Sequence, residues 1–186
     1  LKNIKKNVII LESIVGKLKA SLNKNGNISV NMGTIKENWK NIPISKKMNN
    51  RNIPINIKNF SKGFAINIGN PHIVFFGKKI NNLNLSIIGP RIENHNLFPN
   101  KINVEFIEII NRKKIKMRVW ERAVGETLAC GSGACAAVYA GLKKEIIEKK
   151  CEVILKKGSL FINIAKNNEV VMTGPAKISY HGKIDL

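Results

Sequence analysis

Short apolar runs separated by turn residues recur along most of the chain. Val8 to Leu11, Leu18 to Leu22 and Ile28 to Val30 are the first three. Asn25-Gly26 stands between the last two and predicts a hairpin, because Asn and Gly tolerate the positive φ that a tight strand-joining turn requires. Residues 34–62 are rich in Asn, Lys and Pro and have little periodicity, so they read as loop with at most one short strand. Phe64 to Ile68 and Ile73 to Phe76 read as strands. The Gly69-Asn70-Pro71-His72 segment between them is expected to be irregular, since proline lacks an amide donor and restricts its predecessor. Residues 82–88 predict a short helix ended by Gly89-Pro90.

Further along, Ile102, Val104 and Phe106, then Ile115, Met117 and Val119, alternate with other residues around Asn111-Arg112-Lys113-Lys114. That period of two predicts a half-buried hairpin. A glycine-punctuated loop from Gly125 to Gly133 leads into a helix predicted over Ala134 to about Glu148, in which Val138, Leu142 and Ile146 mark a buried stripe at four-residue spacing. Val153 to Leu155, Leu160 to Ile164 and Val170 to Met172 follow as strands, divided at Lys157-Gly158 and Asn167-Asn168. Strands and hairpins enclosing a helix, without repeated crossover units, give an α+β fold.

Composition narrows the function. At 186 residues and 44% hydrophobic content the chain can bury a core. Its 32 basic and 12 acidic residues give a formal charge of +20, which raises nucleic acid as a partner. The lysines are spread along the whole length, however, and patches such as Lys113-Lys114, Lys143-Lys144 and Lys156-Lys157 fall in turns or on a solvated helix face. The aromatic-rich strand motif and helix-turn-helix layout of a nucleic-acid binder are missing, so neither nucleic acid nor a membrane surface is expected as partner. No apolar run approaches the roughly 18 residues of a membrane span, and no signal layout opens the chain, so a cytoplasmic protein is expected. Cys130, Cys135 and Cys151 form neither an even disulfide set nor a paired C-x-x-C zinc pattern. Reduced thiols are the expectation.

The chemistry concentrates in Arg118-Val-Trp-Glu-Arg-Ala-Val-Gly-Glu-Thr-Leu-Ala-Cys-Gly-Ser-Gly-Ala-Cys135. Cys130 falls at a helix start, where backbone amides lack partners and the dipole is positive, so its thiol is expected to ionise more easily than usual. Gly131 and Gly133 let the backbone approach a ligand and offer amides to a carboxylate. Glu121 and Arg122 arrive on the preceding strand as a proton acceptor and a carboxylate clamp. Cys135, in an alanine-rich helix start, and Cys151, opening a strand, read as packing. There is no G-x-S-x-G elbow, no P-loop and no G-x-G-x-x-G after a strand.

The run Trp120 to Cys135 closely resembles the second cysteine signature of the diaminopimelate epimerases. In the same order, Asn31-Met-Gly33 resembles a strand leading into the family's domain, Gly69-Asn-Pro-His72 its histidine loop, Lys101-Ile-Asn-Val104 its Arg-Ile-Asn-Val segment, and Met172-Thr-Gly-Pro-Ala176 its closing strand. The resemblance covers about residues 28–186. It implies a curled, mostly antiparallel sheet around a central helix, as one complete domain plus part of a second similar one. Residues 1–30 would be the remaining strands of an incomplete N-terminal domain, 31–172 the complete C-terminal epimerase domain, and 173–186 a closing strand returning to the N-terminal domain.

It also implies a cofactor-independent and metal-independent epimerisation of LL-diaminopimelate to meso-diaminopimelate, in lysine and peptidoglycan precursor biosynthesis. Two cysteines would work on opposite faces of the α-carbon, one taking a proton and one returning it. By resemblance Cys130 is one of them, Glu121 assists it, and His72 assists the opposing cysteine. Amides at Gly131 and Ser132 would hold the reacting carboxylate, and Asn70, Asn103 and Arg122, with Glu121 alongside, the rest of the substrate.

The family's other cysteine signature has no match in this chain and belongs upstream of Leu1. Cys135 is too near Cys130 to reach the opposite face of the same carbon. A truncated chain is therefore expected, partnered by a separate N-terminal segment or by a second copy in a homodimer. The alternatives weighed against this are a non-catalytic remnant that binds amino acids, another amino-acid racemase or isomerase of the same fold, and a basic RNA-binding protein.

Overall fold

The computed structural model describes residues 7–13 and 16–184. Two strands, β1 (Val8–Ser13) and β2 (Gly16–Leu22), form an antiparallel pair, and β3 (Ile28–Thr34) returns along β2. The turn before β3 is the one the sequence predicts, with Gly26 at φ +82° and its amide donating to the Asn23 carbonyl. Residues 35–62 wrap over the protein with isolated bridges at Lys36 and Ile53 and a single 3-10 turn, Asn50–Asn52.

The central elements are β4 (Phe64–Asn67), β5 (Pro71–Gly77), α1 (Leu85–Glu93), β6 (Asn103–Asn111), β7 (Lys114–Glu121) and the two-residue β8 (Gly125–Glu126). Then come α2 (Gly131–Lys143), β9 (Lys150–Leu155), β10 (Gly158–Ile164) and β11 (Glu169–Gly174). All strands join one open sheet in the order β1-β2-β3-β11-β10-β9-β7-β6-β5-β4, with β8 paired to β7. The β5/β6 and β7/β9 pairs are parallel and the others antiparallel. The fold is α+β and dominated by its sheet, as the strand pattern predicts.

The sheet curls because α2 is packed by strands from distant parts of the path, β4, β5 and β6 on one side and β9, β10 and β11 on the other. Ala134, Ala136, Ala137 and Ala140 are buried along the helix, and their small size allows close approach from both directions. Strand alternation divides the apolar residues between two cores. Phe64, Ile66, Val74, Phe76, Ile107 and Met117 face α2. Ala65, Ile73, Phe75, Val104 and Phe106 face the opposite way, against α1 and the 35–62 segment.

Several predicted boundaries move. The Gly69-to-His72 segment is irregular only at Gly69 (φ +103°) and Asn70, because β5 already begins at Pro71. A strand's first position tolerates a residue without an amide hydrogen. The first helix does not stop at Gly89-Pro90 but runs through it to Glu93. Leu85, Gly89 and Ile92 form one buried stripe at helical spacing, and that burial outweighs the missing hydrogen bond at Pro90.

The second helix starts at Gly131 rather than Ala134 and ends at Lys143, short of Glu148. Glu145 takes φ +61°, and the chain doubles back so that the Ile146 and Ile147 amides both donate to the Gly141 carbonyl. A Cβ on Gly141 would lie 2.2 Å from Ile147 Cδ1. The bare glycine is what admits Ile147 to the core, and Ile146 belongs to the reversal rather than to a helical stripe.

Candidate active site

Strand register sets the site. In the parallel β5/β6 pair His72 lies beside Asn103 and Val74 beside Glu105. His72 shares parity with Val74 and Phe76, and Asn103 and Glu105 with Ile107, so all three point to the α2 side. Glu121 shares parity with Val119 and Met117 and does the same from β7. They converge under the first turn of α2, whose N-cap is Cys130, in extended conformation (φ −137°, ψ 113°).

Cys130 Sγ accepts the Gly133 amide at 3.4 Å and lies 3.5 Å from Ser132 Oγ. Asn70 Nδ2 donates to Ser132 Oγ at 3.4 Å, and Asn70 Oδ1 meets His72 Nε2 at 2.9 Å. His72 Nδ1 in turn meets Glu105 Oε1 at 2.6 Å, with both side chains sealed from solvent. A hydrogen-bonded chain therefore runs from Glu105 through His72, Asn70 and Ser132 to the Cys130 sulfur. With Asn70 Oδ1 accepting from Nε2–H, the Glu105–His72 contact needs one shared proton. Burial favours that arrangement, because a pair without the proton would carry an unbalanced charge in the core.

The sulfur is not activated in the way the helix start suggests. Burial pushes the Cys130 thiol up to about 12, and the Glu105 charge adds to the rise, against smaller opposing effects of Ser132 and the Gly133 amide. Glu105 lies beside the first turn, where a Cβ on Gly133 would fall 2.8 Å from Glu105 Oε1 and 3.3 Å from Cys130 Sγ. The positive end of the helix thus has a buried carboxyl group as neighbour, and desolvation outweighs the dipole. Burial likewise raises the Glu105 carboxyl, with His72 opposing, and Glu105 Oε2 is buried without a partner among the described residues.

Of the other expected site residues, Gly131, Ser132, Asn103 and Glu121 border this centre, whereas the Arg122 side chain is held by the Asn100 carbonyl. Gly131 and Ser132 precede the first intrahelical bond, Ala134 N to Cys130 O at 3.0 Å, so their amides have no acceptor within the helix. Gly131 is also a close approach, since a Cβ there would fall 2.8 Å from Met172 Sδ. Glu121 accepts from Thr127 Oγ1 at 2.5 Å. Asn103 has both polar atoms engaged, Nδ2 donating to the Pro71 carbonyl at 2.8 Å and Oδ1 accepting the Arg122 amide at 2.9 Å. It acts as a brace between β5 and the turn after β7. Arg122 Nη1 donates to the Asn100 carbonyl at 3.1 Å. Cys135 and Cys151 are packed into the α2 core.

A cleft of about 360 Å³ is lined in part by Met32, Gly33, Lys36, Ile68 and Gly69; neither Asn70 nor Cys130 is among its lining residues. Among the described residues no three His, Cys, Asp or Glu side chains gather as a metal-ligand set, and no helix is long and apolar enough to cross a membrane.

Sequence reasoning passed over Glu105 and Glu93. The signal for Glu105 was present, since Val104 and Phe106 alternate with Asn103, Glu105 and Ile107, so a reading of parity alone puts Glu105 on the face of Asn103. Glu93, the last residue of α1, has no such local signal.

Residues 64–179 match the family model described as diaminopimelate epimerase. The chain belongs to the diaminopimelate epimerase family. It is 43% identical to the diaminopimelate epimerase of Acetivibrio thermocellus, over 97% of this chain and 67% of that protein. With its counterpart from Pelagibacter ubique it shares 42% identity, over 91% and 64% of the two chains. The chain thus spans about two-thirds of the length of these relatives. Among solved structures, a hydroxyproline epimerase from Agrobacterium vitis superposes with TM-score 0.62 at 12% identity, over 93% of this chain and 58% of that one. A phenazine biosynthesis protein of the PhzF family from Enterococcus faecalis gives 0.62 at 15%, over 100% and 67%. At such identities these two show the shared fold of the family and nothing about substrate.

Proposed function

We propose that this chain supplies one half of a two-sided proton transfer at the α-carbon of diaminopimelate, interconverting the LL and meso forms without a cofactor, for lysine and peptidoglycan precursors. The observation that carries the reading is the hydrogen-bonded chain that ends on the Cys130 sulfur at the head of α2. A thiol held near 12 offers almost no thiolate at neutral pH, so Cys130 rests as an acid. In the forward direction the S–H bond breaks as a C–H bond forms on the carbanion, and the electron pair stays on sulfur. A second cysteine, as thiolate, removes the original proton from the opposite face. That group would come from an N-terminal segment or another chain.

The amides of Gly131 and Ser132 hold the reacting carboxylate, where charge develops as the α-proton leaves. Arg122 offers its guanidinium to the distal carboxylate, and Glu121 stands beside Cys130 to steer its proton. Asn103 serves this site through the Arg122 amide, and His72 through Asn70.

The test is incorporation of solvent deuterium at the α-carbon of diaminopimelate, measured for this chain alone and with an added N-terminal domain of a family member. Exchange that depends on Cys130 is expected with the domain present. No exchange in either case overturns the reading.

A further inference from the structure

The Glu121–Arg122 pair sits between two donors that end on one carboxylate. Glu93 Oε2 accepts the Trp120 indole Nε1–H at 2.7 Å, and Glu93 Oε1 accepts the Ala123 amide at 2.8 Å. Trp120 immediately precedes the pair and Ala123 immediately follows it. The turn between them needs such a hold, because Ala123 takes φ +62°, a left-handed conformation that disfavours a residue with a Cβ. Glu93 is 5% exposed, and the Trp120 ring lies flat against Gly89, where a Cβ would fall 2.3 Å from the ring. α1 therefore grips the end of β7 twice, by a bare glycine under the indole and by a carboxylate bridging the two sides of the turn.

We propose that Glu93 is a positioning residue that fixes Arg122 toward the substrate, and that it thereby sets affinity for the distal end of that substrate rather than the rate of proton transfer at Cys130. The proposal rests on the reading above, in which Arg122 meets the distal carboxylate. A glutamate suits the place because both of its oxygens are acceptors. An amide has one acceptor and one donor group, so it can satisfy only one of the two N–H groups and opposes the other. Burial pushes the Glu93 carboxyl up, but Trp120, Ala123 and Lys101 together outweigh burial and hold it below its ordinary range. The acceptor pair is thus ionised at neutral pH.

Glu93→Gln is nearly isosteric and tests this in the full chain. Hydrogen exchange read by NMR is expected to quicken at least about tenfold at the Trp120 indole or the Ala123 amide, while the amides of β5 and β6 keep their protection. In the assembly that exchanges the α-proton, KM for diaminopimelate is expected to rise about tenfold with kcat within about twofold. A merely structural loss would lower the active fraction and leave KM unchanged. Trp120→Phe keeps a ring against Gly89 and removes one donor, so it should move KM in the same direction by less, which keeps the test open if the glutamine variant folds poorly. Wild-type exchange at both N–H groups in Glu93→Gln, or a fall in kcat at constant KM, overturns the proposal. If nothing turns over at all, the functional reading has failed, and the exchange measurement still decides whether Glu93 holds the turn.

Discussion

His72 Nδ1 approaches Glu105 Oε1 to 2.6 Å in a place where neither side chain touches water. Removing one member of such a pair strands the other, and losses of about 3–5 kcal/mol are typical. His72→Leu is expected to destabilise the fold by that order, and the double variant His72→Leu/Glu105→Leu to recover part of it. Urea unfolding at pH 7 measures both. A double variant as unstable as the sum of the singles would mean that the two side chains do not interact.

Alkaline pH should weaken the protein. Burial raises the Cys130 thiol to about 12 and Cys151 to about 11 from an ordinary value of 9.0, and it raises Cys135 as well. An unfolded chain ionises these thiols near pH 9, whereas the folded one keeps their protons. The stability they contribute is thus fully present below pH 9 and is lost as the pH climbs toward the folded values. Denaturant midpoints should fall between pH 8 and 10.5, and Cys135→Ala should flatten that fall. A midpoint that stays level across this range would show that the thiols are not sealed off.

The two glycines beside Cys130 should differ in tolerance. At Gly133 an added methyl meets Glu105 Oε1, which His72 holds in place. At Gly131 it meets the sulfur of Met172, a flexible side chain that can move. Gly133→Ala is therefore expected to cost about 1–3 kcal/mol, and Gly131→Ala clearly less. Thermal unfolding orders them, and the reverse order would contradict the placement of Glu105 under the helix.

In any assembly that inverts diaminopimelate, Cys130→Ala is expected to abolish inversion. Its structural cost is that of a lost helix cap and a small void, about 1–2 kcal/mol. Circular dichroism should be unchanged while α-proton exchange disappears. Inversion that survives the change would remove Cys130 from the reaction.

The sequence made the strands and the cysteine signature legible because both are local. Alternation at Val104 and Phe106 or at Met117 and Val119 reports which face a strand buries, and Cys130 with its glycines occupies four consecutive positions. What escaped depends on distant packing. The stop of α2 at Lys143 follows from Ile147 folding back onto Gly141, and the passage of α1 through Pro90 follows from Trp120 on Gly89. The resting state of Cys130 escaped for the same reason. Proximity to a helix start is visible in sequence, but the buried Glu105 that opposes it comes from a strand some 25 positions earlier, and only the folded register brings it there.

That register ties the candidate site to folding. His72, Asn103 and Glu105 reach the site through the same alternation that sends Val74, Phe76 and Ile107 into the core. A slip of one residue between β5 and β6 would turn polar groups outward and apolar ones with them. Damage to the candidate site and collapse of the interior should consequently arrive as a single event, and a protein misaligned yet still compact would have little chance to persist.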